Sequence, residues 1–167
     1  MREFSRVNAW LPLGIRLLSE DEKNKVKSKT YGYIFMPLPK EEPLDKILAQ
    51  WLKVLNLKLD YLINLITKNQ EGFSTLPVYE VNISGGGMSF NYDRDFNRGD
   101  ILELKTVLES PEPVALCLYG EVVNCEKLDK IYKVAVKFIN IDEDIRDHII
   151  KFVFHRQRQI LREQKGI

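Results

Sequence analysis

The sequence has only two cysteines among its 167 residues, and neither belongs to a spaced cysteine framework. A disulfide-stapled secreted domain is therefore not expected, and we interpret Cys117 and Cys125 as reduced packing residues. No stretch approaches the roughly 18 uninterrupted apolar residues of a membrane-spanning helix, and the first ten residues lack the apolar core of a secretory signal. Lysine plus arginine (25) balance aspartate plus glutamate (24), which argues against a nucleic-acid partner. We expect a cytoplasmic protein that meets any anionic ligand with local charges.

Alternation of apolar and polar residues indicates a mainly β domain. With 44% hydrophobic residues the chain can bury one sizeable core, so we expect a single domain over residues 1–167. Strands bounded by Gly, Pro, Asn and Asp are predicted at residues 7–18, 76–83, 88–92, 101–108, 114–125 and 131–139. Six short antiparallel strands favour a closed barrel over an open sheet with free edges. Residues 19–30 are charged around a single Val26 and predict a solvent-exposed connection.

Two segments have the pattern of long helices. Residues 44–68 contain neither glycine nor internal proline, and residues 142–164 carry acidic residues in the first turn and basic residues in the last. The predicted fold class is mainly β with α. It consists of a six-stranded antiparallel β-barrel, a long helix inserted between its first and second strands, and a C-terminal helix.

The inserted helix carries an a/d heptad seam, because its apolar residues alternate at spacings of four and three. The seam comprises Leu48, Leu52, Leu55, Leu59, Leu62 and Ile66. Other apolar residues widen the surface beyond one stripe, which favours self-association into a coiled coil or a helical bundle. The alternative is that the helix packs against its own barrel or the C-terminal helix, and the sequence leaves both open.

Patterns that would indicate an enzyme are missing from the sequence. His148 and His155 stand seven apart and share a helical face, but no further ligands accompany them as a metal site would require. There is no phosphate-binding P-loop, no paired metal-ligand motif and no Ser-His-Asp pattern. We therefore expect a protein without catalytic activity, cofactor or metal.

The most unusual segment is VNISGGGMSF, at residues 81–90. Asn82 and Ser84 are two apart in a predicted strand and so share a face, while the glycines allow the backbone to approach a ligand without an intervening Cβ. A hairpin or a β-bulge would produce the same pattern. The segment therefore needs a second feature before it indicates a site.

The second feature is Arg2 and Arg6, spaced R-x-x-x-R before the first strand. Two guanidinium groups can form forked hydrogen bonds to phosphate oxygens and stack over a purine ring. Taken alone, the two arginines are more typical of an exposed basic terminus, since surface arginines are common.

Together these motifs resemble the PilZ domain family, whose pattern is R-x-x-x-R, a strand, and then [D/N]-x-S-x-x-G. The corresponding residues are Arg2, Arg6, Asn82, Ser84 and Gly87, with Asn82 where many members have aspartate. The downstream segments GMSF, YGEVV, KFIN and IIKFVFHRQRQ are also similar to the family. The resemblance covers nearly the whole chain except residues 19–75.

The resemblance implies that the protein binds the bacterial second messenger cyclic di-GMP. Arg2 and Arg6 would contact phosphates and guanine rings, Asn82 and Ser84 would hydrogen-bond a guanine, and Gly87 would permit close approach. The expected function is a receptor that signals when the ligand orders the N-terminal arginine arm and changes the surface offered to an unidentified downstream protein. The alternative is a ligand-independent PilZ-like adaptor or a pilus or motility assembly protein, oligomerised by the inserted helix.

Overall fold

The structure, a computed structural model, describes residues 4–31, 41, 45–69, 73–109 and 114–166. Within these ranges the chain forms seven β-strands and two α-helices, together with short 3-10 helices at Glu22–Lys25 and Phe73–Thr75. The strands are β1 Arg6–Leu17, β2 Lys29–Tyr31, β3 Val78–Ser84, β4 Gly87–Tyr92, β5 Ile101–Leu108, β6 Val114–Leu128 and β7 Ile131–Phe138. The helices are α1 Lys46–Asn69 and α2 Glu143–Gln164.

Six of the strands close into an antiparallel barrel in the order β6-β5-β1-β3-β4-β7, with β7 pairing back onto β6. Closure depends on two long strands that change partners along their length. Residues 6–12 of β1 pair with β3 and residues 13–17 with β5. In the same way, residues 114–121 of β6 pair with β5 and residues 120–128 with β7. The predicted barrel with its inserted and C-terminal helices is confirmed.

The long strands bend where the sequence is irregular. In β1 the change of partner falls at Pro12, whose carbonyl accepts a 2.7 Å hydrogen bond from Thr106 Oγ1. In β6 the change falls at Gly120, where a Cβ would stand 2.9 Å from the side chain of Val136. A register shift between Val122 and Asn124 follows. A glycine and a bulge let a strand turn sharply without breaking the ladder.

The barrel interior is filled by the inward-facing residues of alternating strand positions, including the fully buried Leu13, Ile83, Met88, Leu104, Leu118 and Val134. Helix α2 adds Ile145, Ile149, Phe152 and Val153 to the same core. Because α2 also contacts β1 and β3, it lies beside the segments that carry the two motifs.

The connection over residues 19–30 is more ordered than its composition predicts. Val26 is 7% exposed and Ser28 is 3% exposed. The amide of Asn140 donates to the carbonyl of Val26 (3.0 Å), and the Ser28 hydroxyl accepts from the backbone N–H of Asp142 (3.0 Å). Most of the segment is exposed, as expected, but Val26 and Ser28 are buried and bonded to residues more than 100 positions away, and β2 continues the segment along β6.

Helix α1 stands apart from the barrel core. Its main contacts among the described residues are with the short helix Phe73–Thr75 and with β6. Leu44, the first residue of the predicted range, lies outside the described residues. Twelve large apolar residues of α1 are exposed: Ile47, Leu48, Trp51, Leu52, Val54, Leu55, Leu57, Leu59, Tyr61, Leu62, Leu65 and Ile66. The whole predicted seam is therefore uncovered by the described part of a single chain.

Candidate functional site

The pairing of β1 with β3 brings the two motifs together. Arg6, the first residue of β1, lies opposite Ser84, and Asn8 lies opposite Asn82. Across the following turn, Ser84 pairs with Gly87 of β4. Four of the five motif residues thus meet at one place on the barrel, and Arg2 lies outside the described residues.

A polar depression of about 550 Å³ lies on the outer face of the barrel beside Arg6. Its walls carry four side-chain amides and one hydroxyl, together with charges of both signs. The lining residues with polar side chains are Arg6, Asn8, Glu80, Asn82, Ser89, Asn91, Asn124 and Lys133. Amides and hydroxyls supply both donors and acceptors, so this surface suits the hydrogen-bonding edge of a nucleobase.

A second depression of about 390 Å³ lies on the other side of Arg6, which lines both. Phe4, Lys137 and Arg146 lie on its wall. The Arg146 guanidinium stands 5.4 Å from the centre of the Phe4 ring, donates to the carbonyl of Gly85 (3.2 Å) and pairs with Glu143 (2.7 Å). Arg6, Lys137 and Arg146 give this depression three cationic side chains, which makes it suitable for an anion.

The Asn82 side chain is held by its neighbour across the strand pair. Its Nδ2 donates a 2.9 Å hydrogen bond to Oδ1 of Asn8. Both side chains lie on the outer face and line the larger depression. Asn82 is therefore presented to the depression in a defined orientation.

Ser84 is 5% exposed and is bonded within the glycine-rich turn. Its hydroxyl accepts from the backbone N–H of Gly86 (3.1 Å) and donates to the carbonyl of Gly87 (3.3 Å). A serine bonded in this way shapes the turn that supports Arg6. The direct contact with guanine that the resemblance implies stays a prediction.

Gly87 has a structural requirement of its own. A Cβ at this position would overlap the carbonyl oxygen of Val136, because β4 and β7 approach closely there. A ligand is not needed to explain the glycine, and its contact with cyclic di-GMP stays a prediction.

We expect Gly87→Ala to lower the free energy of unfolding by about 2 kcal/mol or more, because the new methyl group must push β4 away from β7. Gly86→Ala is the matched control, since its Cβ would meet only the movable Phe4 ring at 3.1 Å, and a loss below about 1 kcal/mol is expected there. Chemical denaturation of both variants measures the difference. Equal stabilities would contradict this account of Gly87.

Several lining residues were not predicted from the sequence. Asn8 carried a usable signal, because it stands two residues after Arg6 and so shares its strand face. Lys133, Asn124 and Arg146 carried none, since only the pairing of β7 with β4 and β6 and the docking of α2 bring them to the site.

Two other sequence expectations concern metal ions and membranes. The described residues hold no group of three or more His, Cys, Asp or Glu side chains placed to bind a metal ion. Among the described helices, none combines the length and the apolar character needed to cross a lipid bilayer.

A small closed β-barrel with a polar depression on its outer face, flanked by arginine and a glycine-rich turn, is typical of a small ligand-binding domain. A family model of the PilZ domain matches residues 58–155, more than half of the chain. The chain therefore belongs to the PilZ domain family, a family of cyclic di-GMP receptors, and the predicted resemblance is confirmed. The matched range includes Asn82, Ser84 and Gly87 and begins after β1.

Among solved structures, the chain is similar to a pathogenic protein from Xanthomonas campestris, described as a tetrameric PilZ domain self-assembled via an unusual helical bundle. The TM-score is 0.62 at 14% sequence identity, over 96% of this chain and 92% of that one. At this identity the likeness shows the fold. No curated protein sequence matches the chain.

Proposed function

We propose that this protein is a cytoplasmic receptor that binds cyclic di-GMP on the outer face of its barrel, where β1, β3 and β4 meet. Arg2 and Arg6 bind the phosphates and stack on guanine, while Asn82 hydrogen-bonds a guanine edge. The observation that carries the proposal is the position of Arg6, directly opposite Ser84 and on the wall of both depressions. Two motifs more than 70 residues apart in sequence thus form one surface.

The chemistry of the two depressions supports this ligand. Cyclic di-GMP carries two phosphates and two guanines, and the site offers Lys137 and Arg146 in the smaller depression and amides, with Lys133 and Glu80, in the larger one. Charge-assisted hydrogen bonds contribute about 1.5–3 kcal/mol each. Several such bonds together supply the roughly 8 kcal/mol of micromolar binding after the free-energy cost of ordering the arm has been subtracted.

The contacts of the arm support a signalling mechanism. The carbonyl of Arg6 accepts a 3.0 Å hydrogen bond from Gln157 of α2, and Phe4 lies under Arg146 of the same helix. A ligand that repositions the arm changes these contacts, and so changes the surface formed by the arm and α2. That surface is where we place the unidentified downstream protein.

Isothermal titration calorimetry with cyclic di-GMP tests the proposal directly. We expect binding at micromolar or lower concentration and weaker binding at higher salt, because phosphates are held by charged groups. Absence of heat, confirmed by equilibrium dialysis with labelled ligand, would overturn the receptor function and favour the ligand-independent adaptor.

We further propose that α1 assembles the protein into a homo-oligomer. Exposed apolar patches of this extent mark interaction surfaces in soluble proteins. The seam forms one stripe, and a second stripe of Ile47, Trp51, Val54, Tyr61 and Leu65 follows the same pattern displaced by one residue, with Lys58 at its one polar position. One residue corresponds to about 100° around a helix axis, so the two stripes face two different neighbours.

Two apolar faces near a right angle suit a bundle of four helices, in which each helix contacts two others. A coiled-coil dimer would cover the seam and leave the second stripe in water. The Xanthomonas campestris protein, a tetrameric PilZ domain self-assembled via a helical bundle, supports assembly through α1. A tetramer would carry four barrels, and hence four copies of the site, on one helical core.

A further inference from the structure

The hydrogen bond between Asn82 and Asn8 determines which groups the pair offers to a ligand. An amide has one oxygen that accepts and one NH₂ that donates two hydrogens. Asn82 uses an Nδ2 hydrogen on Oδ1 of Asn8. The Oδ1 acceptor of Asn82 and the NH₂ donor of Asn8 remain for the depression that both side chains line.

A donor and an acceptor side by side match the edge of guanine. Guanine places the acceptor O6 next to the donor N1–H, whereas adenine places the donor N6–H₂ next to the acceptor N1. In our proposal a phosphate bound at Arg6 sets the direction from which the base meets the pair, since Arg6 lines the same depression. The fixed order of donor and acceptor then distinguishes guanine from adenine.

We propose that Asn8 is a second base-reading residue, which donates from Nδ2 to O6 of a guanine while Oδ1 of Asn82 accepts from its N1–H. This inference rests on the proposed receptor function. It also explains how the neutral Asn82 can act where many family members have aspartate. The hydrogen bond to Asn8 orients the Asn82 amide so that its oxygen is left for the base.

The variant Asn8→Asp separates base reading from a structural role. A carboxylate at position 8 still accepts the hydrogen bond from Asn82, so a purely structural Asn8 predicts little loss. A base-reading Asn8 predicts at least about a 30-fold weaker affinity for cyclic di-GMP, because an acceptor replaces the donor and faces O6. Asn8 is exposed, so the melting temperature should stay close to that of the wild type.

Asn91→Asp controls for the added negative charge, because Asn91 lines the same depression. We expect it to weaken binding by less than about 5-fold at physiological salt. Titration with cyclic di-AMP provides a second readout. The preference for the guanine ligand should fall at least about 10-fold in Asn8→Asp, since the new acceptor suits the amino group of adenine.

The outcomes separate the two proposals. If wild-type protein does not bind cyclic di-GMP, the receptor function fails and the base-reading role falls with it. Suppose instead that wild type binds, that Asn8→Asp binds cyclic di-GMP as tightly as Asn91→Asp does, and that its preference over cyclic di-AMP is unchanged. The role of Asn8 is then overturned while the receptor function stands. A selective loss in Asn8→Asp supports the inference.

Discussion

Replacing Arg6 by alanine is expected to weaken cyclic di-GMP binding by at least about 100-fold, since losing two charge-assisted hydrogen bonds removes about 3 kcal/mol or more. Arg6 lines both depressions, so its side chain can contact phosphate and base in one complex. Calorimetric titration measures the loss. Arg6→Lys should recover only part of it, because an ammonium group lacks the planar fork of a guanidinium.

Arg16→Ala is a suitable control for this experiment. Arg16 lies on the same strand, but it forms ion pairs with Glu22 (2.7 Å) and Glu103 (2.9 Å) away from both depressions. Its removal takes away the same charge and should leave the affinity within about 2-fold, because charges farther apart than a Debye length are screened. The fold should tolerate Arg6→Ala, since the bond from Gln157 goes to the backbone carbonyl. Equal affinities of Arg6→Ala and wild type would remove Arg6 from the site.

The double substitution Leu55→Glu and Leu62→Glu is expected to convert the oligomer into single chains. We expect wild type at about four times the 19.5 kDa chain mass, because a four-helix bundle satisfies both apolar stripes. In a bundle the two carboxylates would be buried without partners. The free-energy cost of burying these charges exceeds the stabilisation from the apolar contacts that remain. Light scattering coupled to size-exclusion chromatography gives the masses directly.

The exposure of these leucines makes the experiment specific. Leu55 is 51% exposed and Leu62 is 52% exposed in the single chain, so glutamate there should leave the melting temperature of the barrel nearly unchanged. Gln50→Glu, on the polar side of the same helix, is the matched control and should keep the wild-type mass. A wild-type mass of one chain, or an unchanged mass in the double variant, would refute assembly through α1.

The elements of this fold were largely predictable because each depends on local periodicity. The predicted strand at 101–108 agrees with β5, and the inserted helix predicted at 44–68 is found at Lys46–Asn69. Side chains alternate at a period of two in a strand and 3.6 in a helix, so burial of one face leaves a pattern in the sequence itself. The burial of Val26 and Ser28 in the connection over 19–30 was not predicted, because it accompanies hydrogen bonds to Asn140 and Asp142 rather than a local pattern.

The sequence predicted a set of candidate site residues but not their geometry. The dependence of that geometry on register explains why. Only the antiparallel pairing of β1 with β3 shows that Arg6 lies opposite Ser84 and that the amides of Asn8 and Asn82 are hydrogen-bonded. The sequence singled out Gly87 for close approach to a ligand. In the structure the close neighbour of Gly87 is the Val136 carbonyl, where β4 and β7 meet, and no local pattern in the sequence reveals that contact.

The sequence by itself determined the family, the barrel with its two long helices, and the apolar seam of α1, because motif spacing and periodicity are properties of neighbouring residues. Only the tertiary structure decided that the seam is exposed among the described residues, that Gln157 of α2 hydrogen-bonds the arm, and that Arg6 lines both an amide-rich depression and one that carries Lys137 and Arg146. These features arise from contacts between residues far apart in the chain. Such contacts depend on closure and register, and the order of the amino acids alone does not display them.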